Sequence, residues 1–432
     1  VYCAIDFGTS NSGIAVPTPG LASASVRLLE IEPGQPTMPT AVFYVVEGLA
    51  PHQPPRRLYG RAALAAYIEG VEGRLMRSMK SILGSSLLDQ RTDLGAGHSV
   101  GYREVLAGYL QQLKRHAEAN CGAPITQAVL GRPVFFVDDD PARDARAQAA
   151  LEAAARAVGF AEVHFQYEPI AAALDFEQHS TEEQIVLVAD IGGGTSDFSL
   201  VRVGPSRRAR TERRDDILAN HGVHAAGTDF DRHIELACIL PSCGHKSLGP
   251  TTGRRAPREV PSAVYFDLAT WHLINTVYIP KRVTELASMK VFYGDTRLHE
   301  RLMRVVRQRL GHALAALAEQ AKIDVADGGQ VRLALDVVER NLAVTLTQTQ
   351  AMDAIDGDLQ RVVSAARETL RKAGLTGGNV QVLYLTGGST GIALLVQRLA
   401  ALCPGARVVR GDRFASVATG LGVHAQRLFA RD

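Results

Sequence analysis

Two acidic glycine turns of one kind, far apart in the chain, constrain its fold more than any other feature. The first runs Tyr2-Cys3-Ala4-Ile5-Asp6-Phe7-Gly8-Thr9-Ser10-Asn11-Ser12-Gly13-Ile14-Ala15-Val16, and the second Ile185-Val186-Leu187-Val188-Ala189-Asp190-Ile191-Gly192-Gly193-Gly194-Thr195-Ser196-Asp197-Phe198-Ser199-Leu200-Val201. Each is an apolar strand with an aspartate near its end, a Gly/Thr/Ser turn, and a second apolar strand. Glycine lets the backbone bend at positive φ and bring N–H groups close to an anion, while hydroxyls add donors. An aspartate at the end of the incoming strand can hold Mg²⁺ through its waters, because that ion keeps much of its hydration and needs one or two carboxylates. Two such turns facing each other would grip a nucleotide polyphosphate from both sides.

The chain has 432 residues, too many for one ordinary core, so two or three compact units are expected. Lys and Arg number 47 against 45 Asp and Glu, a balance that gives no support to nucleic acid or an acidic membrane as the main partner. No apolar run approaches the roughly 20 residues of a membrane span, and no charged, then apolar leader opens the sequence. On these features the chain is expected to stay in the cytoplasm. Cys3, Cys121, Cys238, Cys243 and Cys403 are few and scattered, as reduced thiols are. Cys238, Cys243 and His245 fit no standard zinc spacing. Arg202, Arg207, Arg208, Arg210, Arg213 and Arg214 read as a solvated hairpin tip, since no nucleic-acid reader motif accompanies them.

Ala41 to Val46 is expected to be a strand, with helical pattern from Gly60 through Gly84 and from Val100 to Asn120. Ala128–Leu130 reads as a strand, and Asp138-Asp139-Asp140-Pro141 as the capped start of an Ala/Arg-rich helix ending near Gly159. The second turn restarts the plan: strand, turn, strand, long helical stretches and a strand at Val380–Leu385. Two α/β lobes with a cleft between them follow from this repeat. The polar stretch Ser180 to Glu183 marks the boundary. The first lobe takes residues 1–182, with a closing helix at 413–432 packing back on it, and the second takes 183–412. The stretch at about 240–262, rich in Pro, Gly, Ser and Arg, reads as an irregular insertion, and the lone Trp271 beyond it as a core residue, with an exposed recognition surface as the alternative.

No G-x-x-x-x-G-K-[ST] sequence occurs, so a P-loop is excluded. A third glycine cluster, Leu385-Thr386-Gly387-Gly388-Ser389-Thr390-Gly391, joins a strand to a helix and aims N–H groups at an anion or ribose. As a dinucleotide fingerprint, with Asp412 as the ribose acid, its glycine spacing is wrong.

Together these elements resemble the actin-like ATPase superfamily, and within it the nucleotide-binding domain of DnaK-type heat-shock chaperones. The resemblance covers nearly the whole chain and implies an α/β fold of two duplicated ribonuclease-H-like lobes around a nucleotide cleft. Gly8, Thr9, Ser10 and Asn11 match that family's first phosphate loop, Asp190 to Asp197 its second, Leu385 to Gly391 its adenosine motif, and Tyr167-Glu168-Pro169-Ile170-Ala171-Ala172-Ala173 its connection between lobes. By that resemblance Asp6 and Asp190 orient hydrated Mg²⁺, and Gly192, Gly193, Gly194 and Thr195 contact phosphate. Lys80 reaches the γ-phosphate and the attacking water, which Glu168 positions. Asp197 lies near the phosphate and a monovalent cation, K⁺. Glu319, Lys322, Gly227, Gly387, Gly388 and Ser389 surround ribose and base. As residues alone, Lys80 and Glu168 read as solvated surface, Glu319 and Lys322 as an i,i+3 surface pair.

The sequence departs from the pattern at Gly391 and Ile323, where the family places two arginines against adenine. No acidic, leucine-rich linker or β-rich peptide-binding domain follows the closing helix in this sequence, which therefore resembles a short YegD-like branch. The reading implied is an ATP-binding, chaperone-like protein that binds MgATP or ADP and hydrolyses ATP slowly. Its partners would be a client or unfolded protein and a co-chaperone or exchange factor, with no membrane and no nucleic acid. A nucleotide sensor or scaffold without turnover, and a small-molecule kinase of the same superfamily, are the alternatives.

Overall fold

The computed structural model describes residues 1–18, 25–50, 53–137, 140–210, 212–251, 256–411 and 416–429. Strand Tyr2–Phe7 is almost continuously apolar because both of its faces are covered. Cys3, Ile5 and Phe7 enter one buried cluster, while Tyr2 and Ala4 enter another. Side chains alternate across a strand, so burial on both sides erases the polar half of the pattern. Strand Gln184–Ile191 does the same: Leu187, Ala189 and Ile191 enter a further cluster, and Val186 and Val188 return to the one that holds Tyr2 and Ala4.

The two strands sit in the middle of two sheets of one plan. Tyr2–Phe7 pairs antiparallel with Asn11–Pro17, which pairs antiparallel with Val26–Leu28. On its other side it runs parallel to Gln127–Arg132, and that strand parallel to Glu162–Tyr167. In the second sheet Gln184–Ile191 is antiparallel to Ser196–Val203, itself antiparallel to Ile217–Val223, and on its other side parallel strands Val382–Thr386 and Arg407–Arg410 follow. Strand Thr37–Pro39 is an addition to the first sheet, pairing with Asn11–Pro17. What repeats is thus a whole sheet plan, of which the glycine turns are the local sign.

Residues 41–77 depart from the sequence reading. Helix Gly60–Glu69 stops where Gly70 takes φ 77°, and Gly73–Arg77 is a strand rather than a continuation of the helix. The Val/Phe/Tyr-rich strand Ala41–Val45 needs partners for its backbone, and it finds them in Arg56–Tyr59 on one side and Gly73–Arg77 on the other. A 3₁₀ turn, Met79–Ile82, then carries Lys80. Asp140 caps helix Pro141–Ala157 by accepting from the Arg143 N–H at 3.0 Å, as expected; Asp138 and Asp139 lie outside the described residues. Asp412, the ends of the 413–432 segment and residues 252–255 of the insertion also lie outside them.

Two helices tie the sheets together. Helix Glu168–His179 leaves the edge of the first sheet and leads to the centre of the second, and helix Ser416–Phe429 packs beside it. Their residues Ile170 to Leu174, Val417, Leu421 and Ala425 share one cluster with Val129 of the first sheet and Val382 and Tyr384 of the second. The helices approach closely: a Cβ at Gly420 would lie 1.9 Å from the Ala171 carbonyl oxygen, so only glycine fits there.

The arginine run after the second turn is a correction. Arg210 and Arg214 are exposed, but Arg213 is 2% exposed and its guanidinium grips both carboxylate oxygens of the buried Glu177 at 2.9 and 2.8 Å. Arg213 also pairs with Asp216, and Asp216 with Arg207. Arg208 donates to the Glu177 carbonyl at 2.9 Å, and Arg427 donates to the Arg208 carbonyl at 2.6 Å. Arg208 and Arg213 therefore bind the far end of helix Glu168–His179 to the hairpin, while Arg210 and Arg214 face water as expected.

Candidate functional site

The first turn is braced from behind. Thr40 donates its N–H to the Ser10 carbonyl at 2.9 Å and its hydroxyl to the Gly8 carbonyl at 2.8 Å. In the second turn the Gly192 N–H closes on the Thr195 carbonyl at 3.0 Å, and strand register sets Asp190 directly opposite Asp197. The two turns meet, for a Cβ placed on Gly193 would lie 3.2 Å from the Ser10 hydroxyl.

Two further segments close on the second turn. The N–H groups of Gly227 and Thr228, at the start of helix Gly227–Ile234, donate to the Gly192 and Gly193 carbonyls at 3.2 and 2.8 Å. From the third glycine cluster, the Ser389 hydroxyl donates to the Gly192 carbonyl at 2.9 Å. Gly387, at φ 89°, passes so close to Ile191 that a Cβ would sit 2.3 Å from its carbonyl oxygen, which explains a glycine there without any ligand. Gly388 is exposed beside it.

Lys80 and Glu168 form an ion pair and are largely shielded, with side-chain exposures of 10% and 17%. The surface reading of these two residues is therefore wrong. The same holds for half of the other pair: Lys322 is buried and bound to Asp231 at 2.6 Å, while Glu319 stays exposed on the next turn. Asp231, Thr228 and Thr40 are functional candidates that the sequence reading missed. Asp231 lies within the quoted Gly227 to Asp231 stretch, but nothing local links it to Lys322.

A family model described as Hsp70 protein matches residues 3–236, more than half of the chain. The chain belongs to the Hsp70 family. Hsp70 proteins are ATP-binding chaperones and ATPases. The matched residues include both acidic turns, Lys80, Glu168, Gly227 and Asp231; Glu319, Lys322 and the third glycine cluster lie beyond them.

The electrostatics of this Hsp70 site follow from its charge balance, four carboxylates around one ammonium. Burial pushes the Asp6 carboxyl up to about 7, with Glu168 and Asp190 adding to the rise and Lys80 opposing it. Asp190 is pushed up to about 7 by burial and then by Asp197 and Glu168, again against Lys80. Burial works against the charge on Lys80, but Glu168, Asp6 and Asp197 outweigh it and hold its pKa above the ordinary value. Asp231 rises to about 6 through burial, with Lys322 opposing.

Such a surplus of negative charge calls for a cation. Among the described residues no three His, Cys, Asp or Glu side chains group as a direct metal cage. An ion held through its waters by one or two carboxylates, which is the habit of Mg²⁺, would suit Asp6 and Asp190 near the ends of the two central strands. A cavity of about 610 Å³ lies elsewhere, lined by Arg132, Phe135, Asp140, Glu152, His221 and Lys372 among others, and none of the candidate residues lines it. Among the described residues no helix is long and apolar enough to cross a membrane.

Proposed function

We propose that this chain is a two-lobed, chaperone-like ATPase that binds MgATP in the cleft between its two sheets and hydrolyses it slowly, its lobes closing and opening with nucleotide state. The lobes are residues 1–182, with 413–432 packed back on them, and residues 183–412. The observation that carries this reading is the meeting of the two acidic turns at Ser10 and Gly193, with the Lys80–Glu168 pair among the same carboxylates.

Phosphoryl transfer asks a protein mainly to position groups and cancel charge. Gly8 to Asn11 and Gly192 to Thr195 would hold the phosphates between them. Glu168 accepts a hydrogen bond from the attacking water and aims its oxygen at the γ-phosphorus. As the bond to the leaving ADP oxygen breaks, the Lys80 ammonium offsets the charge that develops, and the water's proton ends on the phosphate product. Asp6 and Asp190 would hold Mg²⁺ through its waters, and that ion would supply charge neutralisation across the phosphates. Asp197 with Thr195 would take K⁺. Lys322, fixed by Asp231, reaches the ribose together with Glu319, and Gly387 to Ser389 flank the base. The reading places the protein in the cytoplasm, with a client protein and an exchange factor as partners.

The raised carboxyls give this reading a pH signature. Asp6 and Asp190 retain protons in the folded, nucleotide-free chain that a free carboxyl would have lost, and they must give them up to act as anions. Binding of preformed MgATP, whose phosphates are already ionised, is therefore expected to be at least about tenfold tighter at pH 8 than at pH 6, with release of about one proton near pH 7. Calorimetry in buffers of different ionisation heat measures both. Affinity independent of pH, with no proton released, would count against these two carboxylates as the cation's holders.

A further inference from the structure

Resting on the nucleotide-binding reading above, we infer that a side-chain latch centred on Trp271 joins the two halves of the molecule and sets the rate at which nucleotide leaves. Trp271 is the chain's only tryptophan, and it follows helix Ala263–Ala269 in the second half of the sequence. The Arg77 guanidinium lies 4.3 Å from the centre of its ring, and the Tyr67 ring is 4.9 Å away. His312 closes the group edge-on, 5.3 Å from Trp271 and 5.1 Å from Tyr67. Tyr67 belongs to helix Gly60–Glu69 and Arg77 to strand Gly73–Arg77, in the small sheet of the first half. Among the described residues no strand pairing joins these two regions, and the contacts named above are between side chains.

Arg77 is the informative member. Among the described residues it makes no ion pair, and its charge is met by the face of Trp271. Both side chains are partly covered, and removal from water strengthens a contact of this type. A second strut lies alongside. Arg309 sits at φ 55°, a left-handed conformation unusual for a residue with a side chain, and it reaches the end of helix Gly60–Glu69, where a Cβ on Gly70 would lie 2.7 Å from its Nη1. A guanidinium there faces the negative end of the helix dipole. Two cations, one from each half, thus bridge to the other half.

The position of the latch gives it a function. Arg77 lies three residues before Lys80 in the chain. His312 stands near the start of helix Gly311–Asp324, whose other end carries Glu319 and Lys322 about 10–15 Å further along. The latch is therefore built on the two elements that would hold phosphate and ribose from opposite sides, and separating those elements to let nucleotide out requires breaking it.

The test is release of a fluorescent ADP chased by unlabelled ATP, comparing the full chain with Arg77→Gln and Tyr67→Ala. Release about 5–30-fold faster is expected in Arg77→Gln from loss of the cation–π contact, with partial restoration in Arg77→Lys, and faster release also in Tyr67→Ala from loss of the ring contact with Trp271. Acrylamide quenching of Trp271 and small-angle scattering of the nucleotide-free proteins read the same latch without ligand, and both variants are expected to expose Trp271 and enlarge the radius of gyration. Wild-type release rates in both variants, or an unchanged radius with Trp271 no more accessible, would overturn the latch. If wild type bound no ADP at all, the nucleotide reading would fall, and the quenching and scattering results would still decide whether the halves are latched.

Discussion

Asp190→Asn is expected to lower ATP hydrolysis by about 10²–10³-fold, the usual effect of removing one electrostatic element from a preorganised site. It is also expected to raise the melting temperature of the nucleotide-free chain above pH 7. The two effects share one cause. In the folded chain Asp190 is held near 7 by burial and by Asp197 and Glu168, so above that pH an uncompensated charge sits among like charges. A carboxyl raised in the folded state binds protons that the unfolded chain has already released. Its cost to stability therefore grows as pH climbs from the ordinary 3.8 through about 7, and is complete above that. The amide keeps the shape and removes the charge. Lys80→Ala is expected to match the loss of hydrolysis while doing the opposite to stability, because it removes the cation that, among the described residues, offsets these acids. Steady-state hydrolysis and thermal melts at pH 5 and pH 8 check both. An Asp190→Asn chain that hydrolyses ATP at the wild-type rate, or melts lower at pH 8, contradicts this account.

The second large effect is predicted at the buried Arg213–Glu177 pair. Arg213→Met leaves the Glu177 carboxylate inside the protein with its fork of donors gone, and breaking a buried pair from one side costs about 3–5 kcal/mol. Replacing both partners, Glu177→Leu with Arg213→Met, removes the stranded Glu177 charge and is expected to recover part of that loss, the remainder being the buried Asp216 left with Arg207 alone. Denaturant unfolding of the two variants distinguishes them. Equal destabilisation would show that the pair matters for its packing rather than its charge. Because Glu177 lies on the helix that begins with Glu168, loosening it is also expected to reduce hydrolysis in the single variant more than in the double one.

How much of this was legible in the sequence depends on how local each feature is. The two acidic turns were readable because strand, aspartate and glycines are adjacent, and the duplicated sheet order confirms that they mark a repeat. The cap at Asp140 was readable for the same reason. Strand Gly73–Arg77 was not: five residues with arginines on both faces show no alternation, and only the bare edge of Ala41–Val45 calls for a strand there. Charge pairs were the least readable. Lys80 with Glu168, Lys322 with Asp231, and Arg213 with Glu177 each join separate elements, so Lys80, Glu168, Lys322 and Arg213 taken alone read as solvated surface. Trp271, expected to be core, is a partly covered contact between distant segments.

The most direct measurement is single-turnover hydrolysis of ATP by the pure chain with Mg²⁺ and K⁺, enzyme in excess, beside the Lys80→Ala variant. The account predicts conversion of bound ATP to ADP and phosphate by the wild type without any acceptor molecule, and retention of intact ATP by the variant. Bound ATP that stays uncleaved on the wild-type chain, or cleavage at the same rate in Lys80→Ala, would contradict it.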